Sequence, residues 1–127
     1  MRAVFLIAAL LLGAILVPCG SGALAQGLCV EPPMPLPVDG AGLSADQMRA
    51  AMADARNFIA QSGLYQECLI NEVEAAKTQA AAASQPFDPA IETSARAKVE
   101  ASQKAQEKAG AAANGAMAAY KNAHLPN

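Results

Sequence analysis

The distribution of prolines most strongly limits what this chain can fold into. Of its eight prolines, four lie between residues 32 and 37, and two more lie at positions 86 and 89. Proline lacks a backbone N–H and clashes with the preceding helical turn, so it is excluded from the interior of helices and of central strands. Beyond residue 37, long regular elements are therefore confined to the proline-free segments 38–85 and 90–125.

The first 25 residues have the three parts of a cleavable secretory signal. Met1-Arg2 gives a positive start, residues 3–17 are apolar, and Ala23-Leu24-Ala25 places small residues where a signal peptidase cuts. The apolar run is shorter than the roughly 20 residues that a membrane-spanning helix needs. We therefore predict cleavage between Ala25 and Gln26, and a location in the periplasm or the extracellular medium.

Cys19 gives one alternative to simple cleavage. The segment Leu16-Val17-Pro18-Cys19 resembles a lipidation box, in which the cysteine carries a lipid anchor. Such boxes have a small residue directly before the cysteine, and Pro18 is a poor match for that position. A lipid-anchored envelope protein is therefore the alternative to a released one.

The composition of the mature segment, residues 26–127, excludes several functional classes. Eight basic and eleven acidic side chains give it a formal net charge of −3, and it contains no basic run. Binding of nucleic acids or of anionic membranes therefore lacks an electrostatic basis. The segment fits one small domain, and its few aromatic residues predict a thin core. These are Phe58, Tyr65, Phe87 and Tyr120.

The first proline-free segment has a recognisable helix start. Ser44 and Gln47 have the spacing of a capping box, and Leu43 and Met48 occupy the two positions of a hydrophobic staple. No proline follows until residue 86. We predict a helix from Ser44 to about residue 84.

The second proline-free segment begins with an equally clear signal. Asp88 is a candidate N-cap, and Pro89 fits the first helical position, where its missing N–H is not needed. We predict a helix from Pro89 to about residue 123. Two long helices joined by a short proline-containing turn are expected to fold back as an antiparallel hairpin, so the predicted fold is all-α.

Apolar and small residues recur in alternating steps of three and four, as in coiled coils, and this predicts the seam between the helices. In the first helix the seam residues are Met48, Met52, Ala55, Ile59, Ser62, Gln66, Leu69, Val73, Ala76 and Ala80. In the second helix they are Ala95, Val99, Ser102, Gln106, Ala109, Ala113, Ala116 and Tyr120. Folding about the turn places Gln66 opposite Gln106, and a register shifted by one helical turn is the alternative. This polar pair is expected to fix the register of the helices, and a dimer or ligand contact is the alternative.

The residues before the first helix, 26–42, are expected to form an extended arm packed on that helix. The 15 steps from Cys29 to Ser44 span about 46 Å as polyproline II, more than the roughly 36 Å from Ser44 to Cys68 along a helix. An even cysteine count in an oxidising compartment favours a disulfide. We therefore predict a Cys29–Cys68 bond, with two free thiols as the alternative. The arm residues expected to cover the seam are Val30, Met34, Leu36 and Val38.

Candidate metal ligands are few. His124 is the sole histidine and lies three residues from the end of the chain. Together with Cys29 and Cys68 it does not complete a zinc site, which needs three or four convergent ligands. We therefore expect no metal and no cofactor.

Candidate catalytic groups are equally sparse. Glu67, Glu72 and Glu74 are interpreted as a solvated helix face because their spacing spreads them around the helix. Ser62 and Ser102 have no neighbouring base that could activate them. We predict no catalytic residues and no enzymatic activity.

The mature segment resembles small exported bacterial proteins that have a Cys/Pro-rich arm and an Ala-rich helical hairpin. The resemblance covers residues 29–121 and implies the fold without assigning a functional residue. It rests on Cys29, Asp39-Gly40, Phe58-Ile59, Ser62, Tyr65-Gln66-Glu67-Cys68-Leu69, Pro86-Phe87-Asp88-Pro89-Ala90-Ile91 and Tyr120-Lys121. The segment Leu43-Ser44-Ala45-Asp46-Gln47 is also similar to the LTxxQ motif of periplasmic helical chaperones. It has Ser44 in place of threonine and occurs once, and helix capping accounts for it fully.

These features predict an exported, non-enzymatic helical protein that serves as a structural or protein-interaction element of the cell envelope. A thin hairpin is expected to leave an apolar stripe exposed, formed by Met48, Met52, Phe58 and Tyr120. Stripes of this kind contact a second copy or another envelope protein. The alternative is a small chaperone-like binder of unfolded or envelope proteins, which would need a concave apolar face.

Overall fold

The computed structural model describes residues 29–125. Within them lie a short 3-10 turn, η1 (Gly40–Gly42), and two α-helices, α1 (Ala45–Ala82) and α2 (Pro89–His124), with no strand. The two helices pack against each other, so the predicted all-α hairpin is confirmed. The predicted signal, residues 1–25, and Cys19 lie outside the described residues. In the described part of the chain, no helix combines the length and the apolar character that crossing a membrane requires.

Both helices begin at the predicted caps. Ser44 Oγ accepts a hydrogen bond from the Gln47 N–H at 3.3 Å, and Gln47 Oε1 accepts one from the Ser44 N–H at 2.9 Å. Asp88 Oδ1 accepts a hydrogen bond from the Ala90 N–H at 2.9 Å, and Pro89 is the first residue of α2. These bonds satisfy N–H groups that have no partner inside the helix, which fixes where each helix starts.

The end of α1 is a turn that contains one residue in the left-handed conformation. Ser84 has φ of 51°. The Gln85 N–H donates to Ala80 O at 2.9 Å, and the Ser84 N–H donates to Ala81 O at 3.0 Å. This is a Schellman motif, whose left-handed position is usually occupied by glycine because a Cβ is strained there.

The core is a layer between the helices and the arm in which larger side chains of α1 meet small side chains of α2. Its buried apolar residues are Met48, Ala55, Phe58, Tyr65, Leu69 and Val73 of α1, and Ala109 and Ala116 of α2. Ser62 and Ser102 are buried with them. Eight of these ten residues belong to the predicted seam, so the seam is largely confirmed. Ile59 is the main exception, since it is 38% exposed while its neighbour Phe58 is turned inward.

The prediction of an exposed apolar stripe is wrong for two of its four residues. Met48 and Phe58 are 2% and 5% exposed, and Met52 and Tyr120 are half-buried. Met48 and Phe58 lie at the bottom of a groove whose outer wall is the arm, so little of either side chain reaches solvent. The predicted interaction surface therefore cannot be a stripe built on these two side chains.

The arm lies along α1, but its contacts differ from those expected. Val30 and Leu36, which were expected to cover the seam, are 81% and 87% exposed. Met34 and Val38 are also exposed, at 37% and 42%. Pro32 and Pro35 are half-buried instead. The arm therefore turns prolines toward the hairpin and leaves its larger apolar side chains toward solvent.

The arm meets α2 at η1. Gly40 is buried, and a Cβ placed on it would lie only 1.8 Å from the backbone oxygen of Ala116. The backbone of η1 thus rests directly on the backbone of α2, which requires glycine at this position. Asp39 Oδ1 caps the turn by accepting a hydrogen bond from the Ala41 N–H at 3.1 Å.

Replacing Gly40 with alanine should lower the free energy of unfolding by about 1–3 kcal/mol, because the new methyl group forces η1 away from α2. Urea unfolding followed by circular dichroism measures this change. Gly42→Ala is the matched control, since a Cβ there meets no atom within 4 Å. Equal stability of the two variants would contradict the close packing of η1 on α2.

Replacing Ser84 with glycine should raise the free energy of unfolding by about 0.5–1 kcal/mol, because glycine adopts the left-handed conformation without strain. The measurement is the same urea transition. Ser84→Ala is the control, which keeps the strained Cβ and should bring no gain. A Ser84→Gly variant no more stable than Ser84→Ala would show that the turn is not strained.

Candidate functional site

The arm, α1 and α2 enclose an apolar groove, which we call the arm groove. Its volume is about 890 Å³, within the range of ligand-binding clefts. One wall is formed by arm residues 32–38 and Leu43, a second by α1 between Gln47 and Gln61, and a third by α2 between Lys108 and Ala116. Along α1, from Gln47 to Gln61, the groove is about 21 Å long at 1.5 Å per residue.

The arm groove has an apolar floor and a polar rim. Buried residues of the core form the floor, among them Met48, Phe58 and Ala109. The polar residues that line it are all exposed, and they are Gln47, Asp54, Asn57, Gln61 and Lys108. Within residues 29–125, neither Asp54 nor Lys108 forms an ion pair. The lining therefore carries one positive and one negative side chain, with no net charge.

The arm wall of this groove has backbone groups that are not paired with other backbone. Among the described residues, no backbone–backbone hydrogen bond involves positions 30–38. The arm is instead held at its two ends, by Cys29 and by the contact of Gly40 with Ala116. Four of the seven residues 32–38 are prolines without an N–H, so the segment offers three N–H donors, at alternate positions, beside its carbonyl acceptors. Proline is tolerated in edge strands, so this segment can still pair with another chain at alternate residues.

The predicted disulfide is present. Cys29 and Cys68 are bonded, with their Cα atoms 5.7 Å apart, and the bond joins positions 39 residues apart in sequence. It fixes the start of the arm to the middle of α1. In the chain-entropy model, closing a loop of this length stabilises the folded state by about 4 kcal/mol.

Glu72 lies beside the disulfide. One carboxylate oxygen of Glu72 and the two Sγ atoms of Cys29 and Cys68 all lie within 4.8 Å of one another. Glu72 Oε1 has almost no solvent contact and no hydrogen-bond partner in the described part of the chain. Burial, and then the negative charges of Glu31 and Glu72, raise the pKa of Tyr65 above its usual value. The surroundings of the disulfide are thus both partly apolar and negatively charged.

The position of Glu72 differs from the one predicted by its sequence spacing. Glu67 and Glu74, which are predicted to share a solvated face with it, are exposed. Glu72 is half-buried instead, close to the point where the arm is bonded to α1. The available signal was its spacing of four residues from Cys68, which puts both on one face of a helix.

The polar layer between the helices exists, but its pairing differs from the prediction. Gln66 Nε2 donates a hydrogen bond to Ser102 Oγ at 3.0 Å, and Gln106 Nε2 donates one to the backbone oxygen of Ile59 at 3.2 Å. The predicted Gln66–Gln106 pair is therefore wrong. The partner of Gln66 lies about one helical turn before Gln106, as the alternative register requires. Both glutamines join α1 to α2.

The remaining candidate residues are engaged locally. His124 Nδ1 lies 3.0 Å from the backbone oxygen of Tyr120, and the two rings stack with centroids 4.4 Å apart. Near the turn, Lys77 bridges Glu74 and Glu92 at 3.1 Å and 3.3 Å. The hydrogen bond that Lys77 donates to Glu92 lowers the pKa of Glu92. The hydrogen bonds that Lys77 donates to Glu74 and Glu92 raise the pKa of Lys77. These ion pairs are largely solvated, so they contribute little to stability.

Comparisons of the chain with protein-family models, with curated proteins and with solved structures find no match. A functional interpretation therefore has to rest on the arm groove and on the surroundings of the disulfide.

Replacing both Cys29 and Cys68 with serine should lower the free energy of unfolding by about 4 kcal/mol, because the open chain gains the entropy that the bond removes. Urea unfolding of the wild type in oxidised and reduced form, beside the double variant, measures this. The reduced wild type and the variant should agree. If the oxidised wild type were no more stable than the reduced wild type and the double variant, the disulfide would not stabilise the attachment of the arm.

Proposed function

We propose that the protein is an exported, non-enzymatic helical hairpin that binds an extended apolar segment of another envelope protein in the arm groove. The observation that carries this proposal is the construction of the groove. It combines an apolar floor with a wall of extended chain whose backbone is not paired with other backbone.

The dimensions of the groove suit an extended segment. A length of about 21 Å along α1 accommodates about six residues of extended chain at 3.3 Å per residue. Such a segment can form backbone hydrogen bonds with the arm while alternate side chains enter the groove. This is the mode by which peptides add a strand to an exposed edge.

The charges of the groove favour a polypeptide over a lipid. Anionic lipid headgroups are bound by clusters of lysine and arginine. In the arm groove Lys108 is balanced by Asp54, and the other polar side chains include the amides of Asn57 and Gln61. Amide groups both donate and accept hydrogen bonds, so they complement the peptide groups of a neutral chain.

Two features support the export and the absence of catalysis in this proposal. The signal pattern of residues 1–25 and the Cys29–Cys68 bond both fit an oxidising compartment outside the cytoplasm. Ser62 and Ser102 are buried between the helices. Ser102 Oγ accepts a hydrogen bond from the amide of Gln66, and within residues 29–125 its hydroxyl donates none to a side chain that could act as a base.

A small chaperone for unfolded chains is the second candidate. The concave shape and apolar floor of the arm groove favour it, as does the sequence tolerance of backbone pairing. The two candidates differ in selectivity. A chaperone binds many apolar segments with similar affinity, whereas a dedicated partner is bound through one segment.

Replacing Ala112 with tryptophan should weaken binding of an extended peptide at least tenfold, because the indole fills the groove. Ala112 is an exposed residue of the groove lining, so the change should leave the fold intact. The probe is a short fluorescein-labelled peptide of alternating valine and serine, and the measurement is fluorescence anisotropy with the mature, oxidised protein. Ala111→Trp is the matched control, since Ala111 is exposed but does not line the groove.

Four results would count against the proposal. Equal peptide affinity of the two tryptophan variants would place the peptide elsewhere. Binding of anionic vesicles in preference to the peptide would assign the groove to lipid. A dimer in light scattering that Ala112→Trp alone makes monomeric would show that a second copy occupies the groove. Suppression of client aggregation that Ala112→Trp alone abolishes would favour the chaperone candidate.

A further inference from the structure

We propose that Cys29, Cys68 and Glu72 form a binding site for one divalent cation of the zinc class when the disulfide is open. The observations behind this inference do not depend on what binds in the arm groove.

The donor set suits such a cation. Two cysteine sulfurs and one carboxylate oxygen already lie within 4.8 Å of one another. Thiolates select zinc-like metals over magnesium or calcium. Three protein ligands leave the fourth tetrahedral position for water, as in open zinc sites.

Two of the three ligands are positioned by α1. Cys68 and Glu72 are four residues apart in the helix, so their side chains lie one turn apart on the same face. Helical residues with this spacing commonly supply two ligands to one metal ion. Both side chains are half-buried, which limits the rotamers available to them.

The state of Glu72 points to a missing partner. Its Oε1 atom is buried and has no hydrogen-bond partner within residues 29–125. A buried polar atom without a partner is unfavourable, and more so when the group is charged. A bound cation would satisfy this oxygen. Glu31, whose charge is close enough to affect the neighbouring Tyr65, adds further negative charge to the same region.

Cys29, the third ligand, can move by the distance that tetrahedral coordination requires. With Zn–S distances of about 2.3 Å, tetrahedral coordination places the two sulfurs about 3.8 Å apart. Cys29 therefore has to shift outward by about 2 Å from its bonded position, given a normal S–S bond of about 2 Å. No backbone–backbone hydrogen bond of arm residues 30–38 opposes that shift in the described part of the chain.

The chemistry balances in two steps. Two electrons and two protons from a dithiol reductant convert the disulfide into two thiols, and the reductant becomes a disulfide. Binding of one cation then releases the two thiol protons as both sulfurs become thiolates. A newly exported chain already has both thiols, so it can bind metal before any oxidant closes the bond. The metal-bound and disulfide forms exclude each other.

Titration of the mature protein, reduced with a phosphine, with Co²⁺ and then Zn²⁺ tests the site. The expected result is one Co²⁺ per chain, with the near-ultraviolet absorption of thiolate–cobalt bonds and displacement by Zn²⁺. The oxidised protein should show neither. Glu72→Gln should weaken Co²⁺ binding at least tenfold, and Cys68→Ser should remove most of the thiolate absorption. Glu67→Gln is the matched control, because Glu67 is an exposed carboxylate of the same helix.

Equal affinities of Glu72→Gln and Glu67→Gln would overturn the proposal, as would Co²⁺ binding without thiolate absorption. Circular dichroism keeps the result interpretable if reduction alone unfolds the protein. In that case Zn²⁺ should restore the helices of the wild type and of Glu67→Gln, and restore those of Glu72→Gln only at tenfold higher concentration. Failure of Zn²⁺ to restore the wild type would also overturn the proposal.

Discussion

The attachment of the arm at two points is the constraint on which the rest of the structure depends. Cys29 is bonded to Cys68 in α1, and Gly40 rests on Ala116 of α2. A hairpin of two helices can bury side chains along one seam only, and the buried residues of α2 are alanine and serine. The arm adds a third side to this core, which is why Met48 and Phe58 are buried rather than exposed.

Features fixed by local interactions could be predicted from the sequence. The caps at Ser44 and Asp88 depend on bonds that span two or three residues, so the spacing of residue types predicts them directly. The hairpin follows from the prolines between the helices, and the Cys29–Cys68 bond follows from the length of chain available to the arm. Each of these features is determined by a few neighbouring residues or by the length of chain between two residues.

Features that depend on the placement of the arm could not be predicted in this way. An extended proline-rich segment has no helical or strand periodicity, so nothing in its sequence indicates which side chains face the hairpin. Leu36 was expected to be covered and is exposed, while Phe58 was expected to be exposed and is buried. Neither candidate site could be predicted for the same reason, because the arm forms one wall of the groove and brings Cys29 to Glu72.

The two proposed sites are connected through the arm. Pro32, at one end of the arm groove, is three residues from Cys29. Only Val30 and Glu31 lie between them, and the segment beyond is proline-rich and stiff, so few backbone torsions are available to absorb a displacement at Cys29 before it reaches the groove wall. A disulfide and a bound cation would both hold Cys29 near Cys68, but at separations that differ by about 2 Å. Two free thiols would leave the arm held at Gly40 alone. The width of the groove, and with it the affinity for an extended segment, would therefore depend on the chemical state of the two cysteines.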